Sequence, residues 1–208
     1  MSITQKFLSI AVFLAFAAFA PIAFAAPIIG NPAPDFAATD SNGKTVNLSD
    51  FKGRNVVLEW TNNECPFVRK HYESGNMQSL QKKYTAQDVV WLSIVSSAPG
   101  KQGHVDGATA NKLTVSRGAS PTAVLLDESG KIGKLYGAKT TPHMFIVDKT
   151  GKLAYAGAID DINSTDIADV KKARNYIDMA FADINANRTV ALSSTKPYGC
   201  SVKYGGFF

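Results

Sequence analysis

Cysteine is scarce in this chain: its 208 residues contain two, Cys65 and Cys200. There is no Cys-x-x-Cys pair and no Cys-x-x-Cys-His haem attachment. Histidine is nearly as rare, and His71, His104 and His143 fall at no metal-ligand spacing, so no metal site is expected. A glycine-rich phosphate loop, an internal repeat and a heptad pattern are all missing, and nothing calls for a cofactor. Charged residues make up only 19% of the chain. The basic ones are scattered and not interleaved with aromatics, which excludes a nucleic-acid surface; Lys171, Lys172 and Arg174 read as the solvated face of a helix.

Beyond the first 25 residues no apolar run could cross a membrane. Within them, Lys6 is the only charge, an apolar stretch runs from Phe7 to Phe24, and Ala23-Phe24-Ala25 supplies small residues at a cleavage site. This is signal-peptide grammar, with cleavage expected after Ala25. An uncleaved membrane anchor is the other reading, because the run is nearly long enough to span. Loss of Lys6 would take the formal charge from +5 to +4. A chain so addressed is periplasmic or secreted, and an even cysteine count there makes a disulfide the default expectation. The remaining length suits one core: a domain over 26–190, and a tail over 191–208 that carries Cys200.

After the extended Asn31-Pro32-Ala33-Pro34 segment, Ser41-Asn42-Gly43-Lys44 reads as a hairpin turn. Asn55 to Trp60, Val89 to Val95, Thr122 to Leu126 and His143 to Asp148 read as strands. Leu153 to Ala158 is the antiparallel partner of the last, across a Lys149-Thr150-Gly151-Lys152 turn. Pro66 opens a helix expected to reach about Tyr84, since proline suits the first helical position. A second helix runs from Ala108 to about Ser116. Asn163 is expected to cap a third, with Ile167, Val170, Ile177, Phe181 and Ile184 at helical spacing. Ser96 to Gly107 is the candidate mobile loop, and the Gly-rich tail would be disordered unless tied down. Strands alternating with helices and ending in an antiparallel pair describe an α/β three-layer sandwich with a central mixed β-sheet.

Cys65 is placed next to a helix N-terminus, where unpaired N–H groups and the helix dipole favour the nucleophilic thiolate. Arg69, about one turn on, would add to this, and Glu64 would oppose it. An inert buried cysteine is the bland alternative. A bond to Cys200 would close a loop worth at most about 4 to 5 kcal/mol in the chain-entropy picture. It is either a permanent staple or a catalytic disulfide resolved by a mobile tail.

Ala33-Pro34-Asp35-Phe36, Asp40 to Gly43, Leu48 to Gly53, Glu64-Cys65-Pro66-Phe67-Val68, Thr141-Pro142-His143 and Val147-Asp148-Lys149-Thr150-Gly151 form an ordered set. Together they resemble the thioredoxin-like superfamily, and within it the redoxin group of alkyl hydroperoxide reductase and thiol-specific antioxidant proteins, especially its peroxiredoxin-like members. The likeness covers Asn31 to Asp161. It implies a thioredoxin-like fold and a cis proline at Pro142, beside the active cysteine. It also implies a substrate edge made by Thr141, Pro142 and Pro66, with Asn62, Glu64, Arg69 and His143 in support. The chain departs from the group in two ways. Val68 stands where a thioredoxin has its second cysteine. Leu58 and Asn62 stand where a peroxiredoxin has proline and threonine, Thr61 being one place early. Arg69 likewise occupies the place of a second copper-binding cysteine.

Two functions are compatible with these residues. One is a thiol-dependent oxidoreductase, exchanging disulfides or reducing a peroxide, with Cys65 as nucleophile, Cys200 as resolving thiol and an external thiol reductant. The other is a non-catalytic binding module stapled by Cys65 and Cys200. Substrate, reductant and oligomeric state are not written in the sequence.

Overall fold

The computed structural model describes residues 26–206, so the expected signal segment, residues 1–25, lies outside the described residues. Asp40 makes the first turn: its carboxylate accepts from the N–H groups of Asn42 and Lys44 at 2.9 and 2.8 Å. Gly43, at φ +82°, supplies the left-handed residue the turn needs. This joins β1 (Ala37–Asp40) to β2 (Thr45–Asn47). The core strands β3 (Val56–Trp60), β4 (Val90–Val95), β5 (Ala123–Leu126), β7 (His143–Val147) and β8 (Leu153–Gly157) follow, with the two-residue β6 (Thr140–Thr141) before β7. Seven strands form one sheet in the order β2-β1-β5-β4-β3-β7-β8, with β3, β4 and β5 parallel and the others antiparallel.

β3 and β4 are buried on both faces and apolar apart from Glu59 and Ser93, because both faces are covered. Val57, Trp91, Met144 and Ile146 pack on one side with Tyr72, Met77, Tyr84 and Phe181. Val56, Leu58, Trp60, Leu92 and Ile94 pack on the other with Phe36, Ile132 and Tyr136. Helices on each side of a mixed sheet give the three-layer sandwich expected from the element order.

Two expectations are corrected, one helix is added, and the tail is tied down. The helix opened by Pro66 does not reach Tyr84 unbroken: it divides into α1 (Pro66–Glu73) and α2 (Asn76–Thr85). Gly75, at φ +76°, turns the chain between them, and the apolar spacing runs through the break because both pieces face the same sheet. The helix assigned to an Asn163 cap is a 3₁₀ turn, Ile167–Lys171, capped by Asp166, and then α5 (Tyr176–Asn185), capped by the Asn175 carboxamide. The solvated basic cluster therefore lies on that turn and beyond it, with Lys172 and Arg174 paired to Asp169 and Asp161. Between α3 (Gly107–Ser116) and β6 the chain adds a short α4 (Lys131–Tyr136), whose first turn is capped by the Asp127 carboxylate accepting from Ile132 and Gly133 N–H. Finally, the tail is not loose. Ser193 and Thr195 bond to Ala156, and β9 (Cys200–Ser201) pairs antiparallel with β6. No helix among the described residues is long and apolar enough to cross a membrane.

Candidate active site

The antiparallel register of β3 and β7 sets Trp60 opposite His143. The chain leaving β3 through Thr61 to Glu64 therefore lies beside the chain entering β7 through Thr141-Pro142, whose peptide bond is cis. Cys65 is the N-cap of α1, with extended backbone (φ −75°, ψ 122°) and Pro66 as the first helical residue. The Cys65 N–H bonds to the Asn62 carbonyl at 3.1 Å, closing the turn into the helix. The side chain is completely buried. Its thiol donates to the Thr141 carbonyl at 3.0 Å.

Across that contact the tail is in register: Cys200 is the partner of Thr141 and Ser201 the partner of Thr140. The backbone approach is close. A Cβ on Gly199 would meet the Thr141 carbonyl oxygen at 2.1 Å, and Gly199 has φ +129°, so only glycine fits there. The two cysteines are free thiols placed side by side. Burial opposes ionisation of Cys65, but the bonds its thiolate accepts from the Cys200 thiol, the Thr141 side chain and the Val68 N–H outweigh it, and the group lies below its ordinary value. For Cys200, burial and then the adjacent Cys65 push the thiol up to about 11. The pair is thus asymmetric: one sulfur is prepared to be the thiolate and the other to remain its proton-bearing neighbour.

The supporting residues are placed differently from expectation. Arg69 does not serve Cys65: its guanidinium pairs with Glu73, four residues on, at 3.0 Å on the exposed face of α1, whereas the Cys65 side chain is completely buried. Glu64 points to the Ser96–Gly107 loop, accepting from Gly103 N–H at 3.3 Å. The Asn62 amide serves the same loop, donating to Gln102 at 3.2 Å while its oxygen accepts from Glu64 N–H at 2.9 Å. The candidate mobile loop is therefore tethered, also through Ala98 N–H to the Lys203 carbonyl. His143 is a packed, neutral residue that accepts from Lys139 N–H at 3.2 Å and packs against the Phe145 ring at 4.4 Å between centres. His71 and His104, without visible partners in the sequence, face Asn76 and Tyr198, and Glu128, respectively.

Sequence reasoning missed the buried charges. Glu59, inside β3, is fully buried and accepts from Tyr72 (2.8 Å), Trp91 (2.8 Å), Ser93 (2.9 Å) and Gln81 (3.2 Å). Burial outweighs these four donors and holds its carboxyl above the usual range. The one signal was a glutamate in the otherwise apolar run Val56-Val57-Leu58-Glu59-Trp60. Lys70 and Asp160, also buried, have no such signal, since nothing local pairs them across 90 residues.

Two histidines predict an acid-labile fold. Burial first, and then the charge of Lys70 or Lys139, lowers His71 and His143 to about 3 from an ordinary 6.5. Both stay neutral in the fold, whereas the unfolded chain protonates below 6.5, so their stabilising share is complete above that pH and is lost as pH falls toward 3. Each loses about 1.4 kcal/mol per pH unit, or about 2 kcal/mol by pH 5. Glu59 has the opposite sign, so the test is a difference: His143→Gln, which can still accept from Lys139, should gain on the parent by about that amount between pH 7.5 and pH 5 in urea unfolding. Parallel curves would show that His143 titrates normally.

The chain is 33% identical over 125 residues to thiol-disulfide oxidoreductase ResA of Bacillus thuringiensis subsp. konkukian, covering 60% of this chain and 66% of that one. It is 28% identical over 134 residues to a chloroplastic peroxiredoxin Q of Triticum aestivum, covering 61% and 57%. The chain thus spans just under two thirds of the curated ResA relative. A conserved protein of Geobacillus kaustophilus with a crystal structure superposes with a TM-score of 0.72 at 26% identity, over 87% of this chain and 94% of that one. The family model described as AhpC/TSA matches residues 29–156, more than half of the chain and including β3, Cys65 and the cis proline. The chain belongs to the AhpC/TSA family.

Proposed function

We propose that the mature chain is an exported thiol-dependent oxidoreductase in which Cys65 is the nucleophile and Cys200 the resolving thiol. The observation that carries this reading is the pairing of a thiol of lowered pKa, on the N-cap residue of α1, with a second free thiol brought beside it by the β6–β9 contact. The ResA likeness supports the activity class, and the sequence of residues 1–25 supports export. With a hydroperoxide, the Cys65 thiolate attacks the O–O bond; an S–O bond forms, an alcohol or water leaves, and Cys65 becomes a sulfenic acid. Cys200 then attacks that sulfur and water leaves, so the two cysteines hold the oxidation as a disulfide. With a disulfide substrate, Cys65 displaces one thiolate and Cys200 releases the other. An external dithiol returns two electrons in either case. Pro66 is exposed beside Cys65, whereas Thr141 and Pro142 are buried with the Thr140–Thr141 edge paired to the tail, so a substrate would meet them with the tail displaced.

The complete burial of Cys65 and the docked tail favour a second reading, a module stapled by a stable Cys65–Cys200 bond. Equilibration with graded thiol buffers separates the two. A catalytic pair titrates near the potentials of envelope exchange systems, and a staple lies below about −300 mV. Cys200→Ser should then accumulate a sulfenic acid or mixed disulfide at Cys65 when oxidant is added. A bond that resists all but harsh reduction, with no oxidant uptake in that variant, would replace the enzyme reading with the staple.

A further inference from the structure

The tail residue two before Cys200 is held by buried charge. Tyr198 donates its hydroxyl to the Asp160 carboxylate. The Asp160 carboxylate lies 3.8 Å from the Lys70 ammonium, and Lys70 in turn donates to the Ile162 carbonyl at 3.1 Å. Lys70 is 1% exposed and Asp160 2%. His71 also faces this group, 3.4 Å from the Tyr198 hydroxyl and 3.9 Å from Asp160. Phe67 packs edge-on against the Tyr198 ring, with the Lys70 ammonium 5.7 Å from the ring centre. Phe67 and Lys70 both belong to α1, the helix that Cys65 opens. One rigid helix therefore carries the nucleophile at its start and the grip on the tail along its side.

We infer that Lys70, Asp160 and Tyr198 are positioning residues that hold Cys200 against Cys65 and thereby set how readily the two sulfurs join. The inference rests on the resolving role proposed above for Cys200. A phenylalanine and an aliphatic side chain would fill the same space without desolvating charges, so packing alone does not call for this cluster. A hydroxyl donating to a fixed carboxylate is directional, and it sets the depth and rotation of the ring as a greasy contact cannot. Two extended residues span at most about 7 Å, so fixing Tyr198 confines the Cys200 sulfur to a small volume. Gly199 transmits that placement, because its backbone lies directly on the Thr141 carbonyl. Beyond Cys200 the tail is held differently, by Val202 N–H to the Lys139 carbonyl, Ala98 N–H to the Lys203 carbonyl and the Tyr204 hydroxyl to the Ala138 carbonyl, three bonds to backbone acceptors rather than to a charged side chain. Releasing the Tyr198 grip lowers the effective concentration of one thiol at the other.

The test is the equilibrium constant for the Cys65–Cys200 disulfide against glutathione, measured on the mature chain and on Tyr198→Phe, which keeps the ring and loses only the hydroxyl. The constant should fall at least tenfold, equivalent to about 30 mV for a two-electron couple. Asp160→Asn, which keeps an acceptor for the hydroxyl, should lie between the two. In a Cys200→Ser background, where no such disulfide can form, adding Tyr198→Phe should raise the alkylation rate of the buried Cys65 by about twofold or more as the tail opens and leave the circular dichroism unchanged, a control that general loosening of the fold would fail. A Tyr198→Phe constant within twofold of the parent overturns the inference, even if its melting temperature drops. A parent chain that forms no such disulfide in any buffer overturns it together with the resolving role. If the bond forms and shifts as stated but no peroxide or disulfide is turned over, only the proposed activity falls.

Discussion

Replacing Cys65 by serine should abolish thiol-dependent turnover, by about a thousandfold or more, because a serine hydroxyl does not ionise near neutral pH and is a far poorer nucleophile toward sulfur or peroxide oxygen. The corresponding change at Cys200 should leave the first chemical event intact and stop the second, so that one equivalent of oxidant is consumed without a further cycle. The difference follows from the environments of the two sulfurs. Cys65 gains acceptor bonds as a thiolate, from Val68 N–H in the first turn of α1 and from Cys200 and Thr141, whereas Cys200 is pushed up to about 11. Alkylation of the reduced protein at mildly acid pH should accordingly label Cys65 ahead of Cys200 once the tail opens. Peroxide consumption and insulin-type disulfide reduction by each variant, with circular dichroism to confirm the fold, would check the assignment. A Cys65→Ser protein that keeps a tenth of parental turnover would remove Cys65 from the chemistry.

The second large effect is on stability. Glu59→Ala should destabilise the fold by about 3–5 kcal/mol, because a buried donor left without its acceptor costs about 1–3 kcal/mol and several lose theirs at once. The glutamate is the common acceptor for the Tyr72 hydroxyl, Trp91 indole, Ser93 hydroxyl and Gln81 carboxamide. These come from α1, α2 and the neighbouring strand β4, so removing the acceptor leaves donors from three elements unpaired in a closed interior. Ser93→Ala, which deletes a single donor and leaves the carboxylate three others, should cost no more than about 1.5 kcal/mol. Equilibrium unfolding in urea measures both. Equal losses for the two variants would show that Glu59 contributes no more than one of its hydrogen bonds.

Short-range rules were enough for much of the fold. Asp40 and Gly43 at the hairpin, Pro66 after Cys65, and the continuous apolar runs of β3, β4 and β7 each specify their local geometry through residues a few positions apart, and the structure has them where those rules put them. The same rules failed where an element's limits are set by packing. The apolar spacing from Phe67 to Tyr84 is continuous, yet Gly75 divides the helix, and the six-residue α4 has too little length to show a period.

Cys-Pro after a buried strand has few other conformations open to it, so one cysteine at a helix start was legible before any packing was known. What that cysteine faces is set by long-range packing. Thr141 comes to Cys65 because β7 runs antiparallel to β3 in a register that sets His143 against Trp60, and Cys200 comes because β9 adds to β6. Arg69 shows the reverse: one helical turn from Cys65 in sequence, it is turned to solvent by Glu73. Lys70 and Asp160 are brought together from distant parts of the chain, a pairing that no local pattern encodes. Proximity along the chain governs backbone conformation, whereas the neighbours of a buried thiol are chosen by sheet order and by which segments the core can close over. In this protein the nucleophile's position was therefore legible in a few consecutive residues, and its partner, its surroundings and the grip on its tail were not.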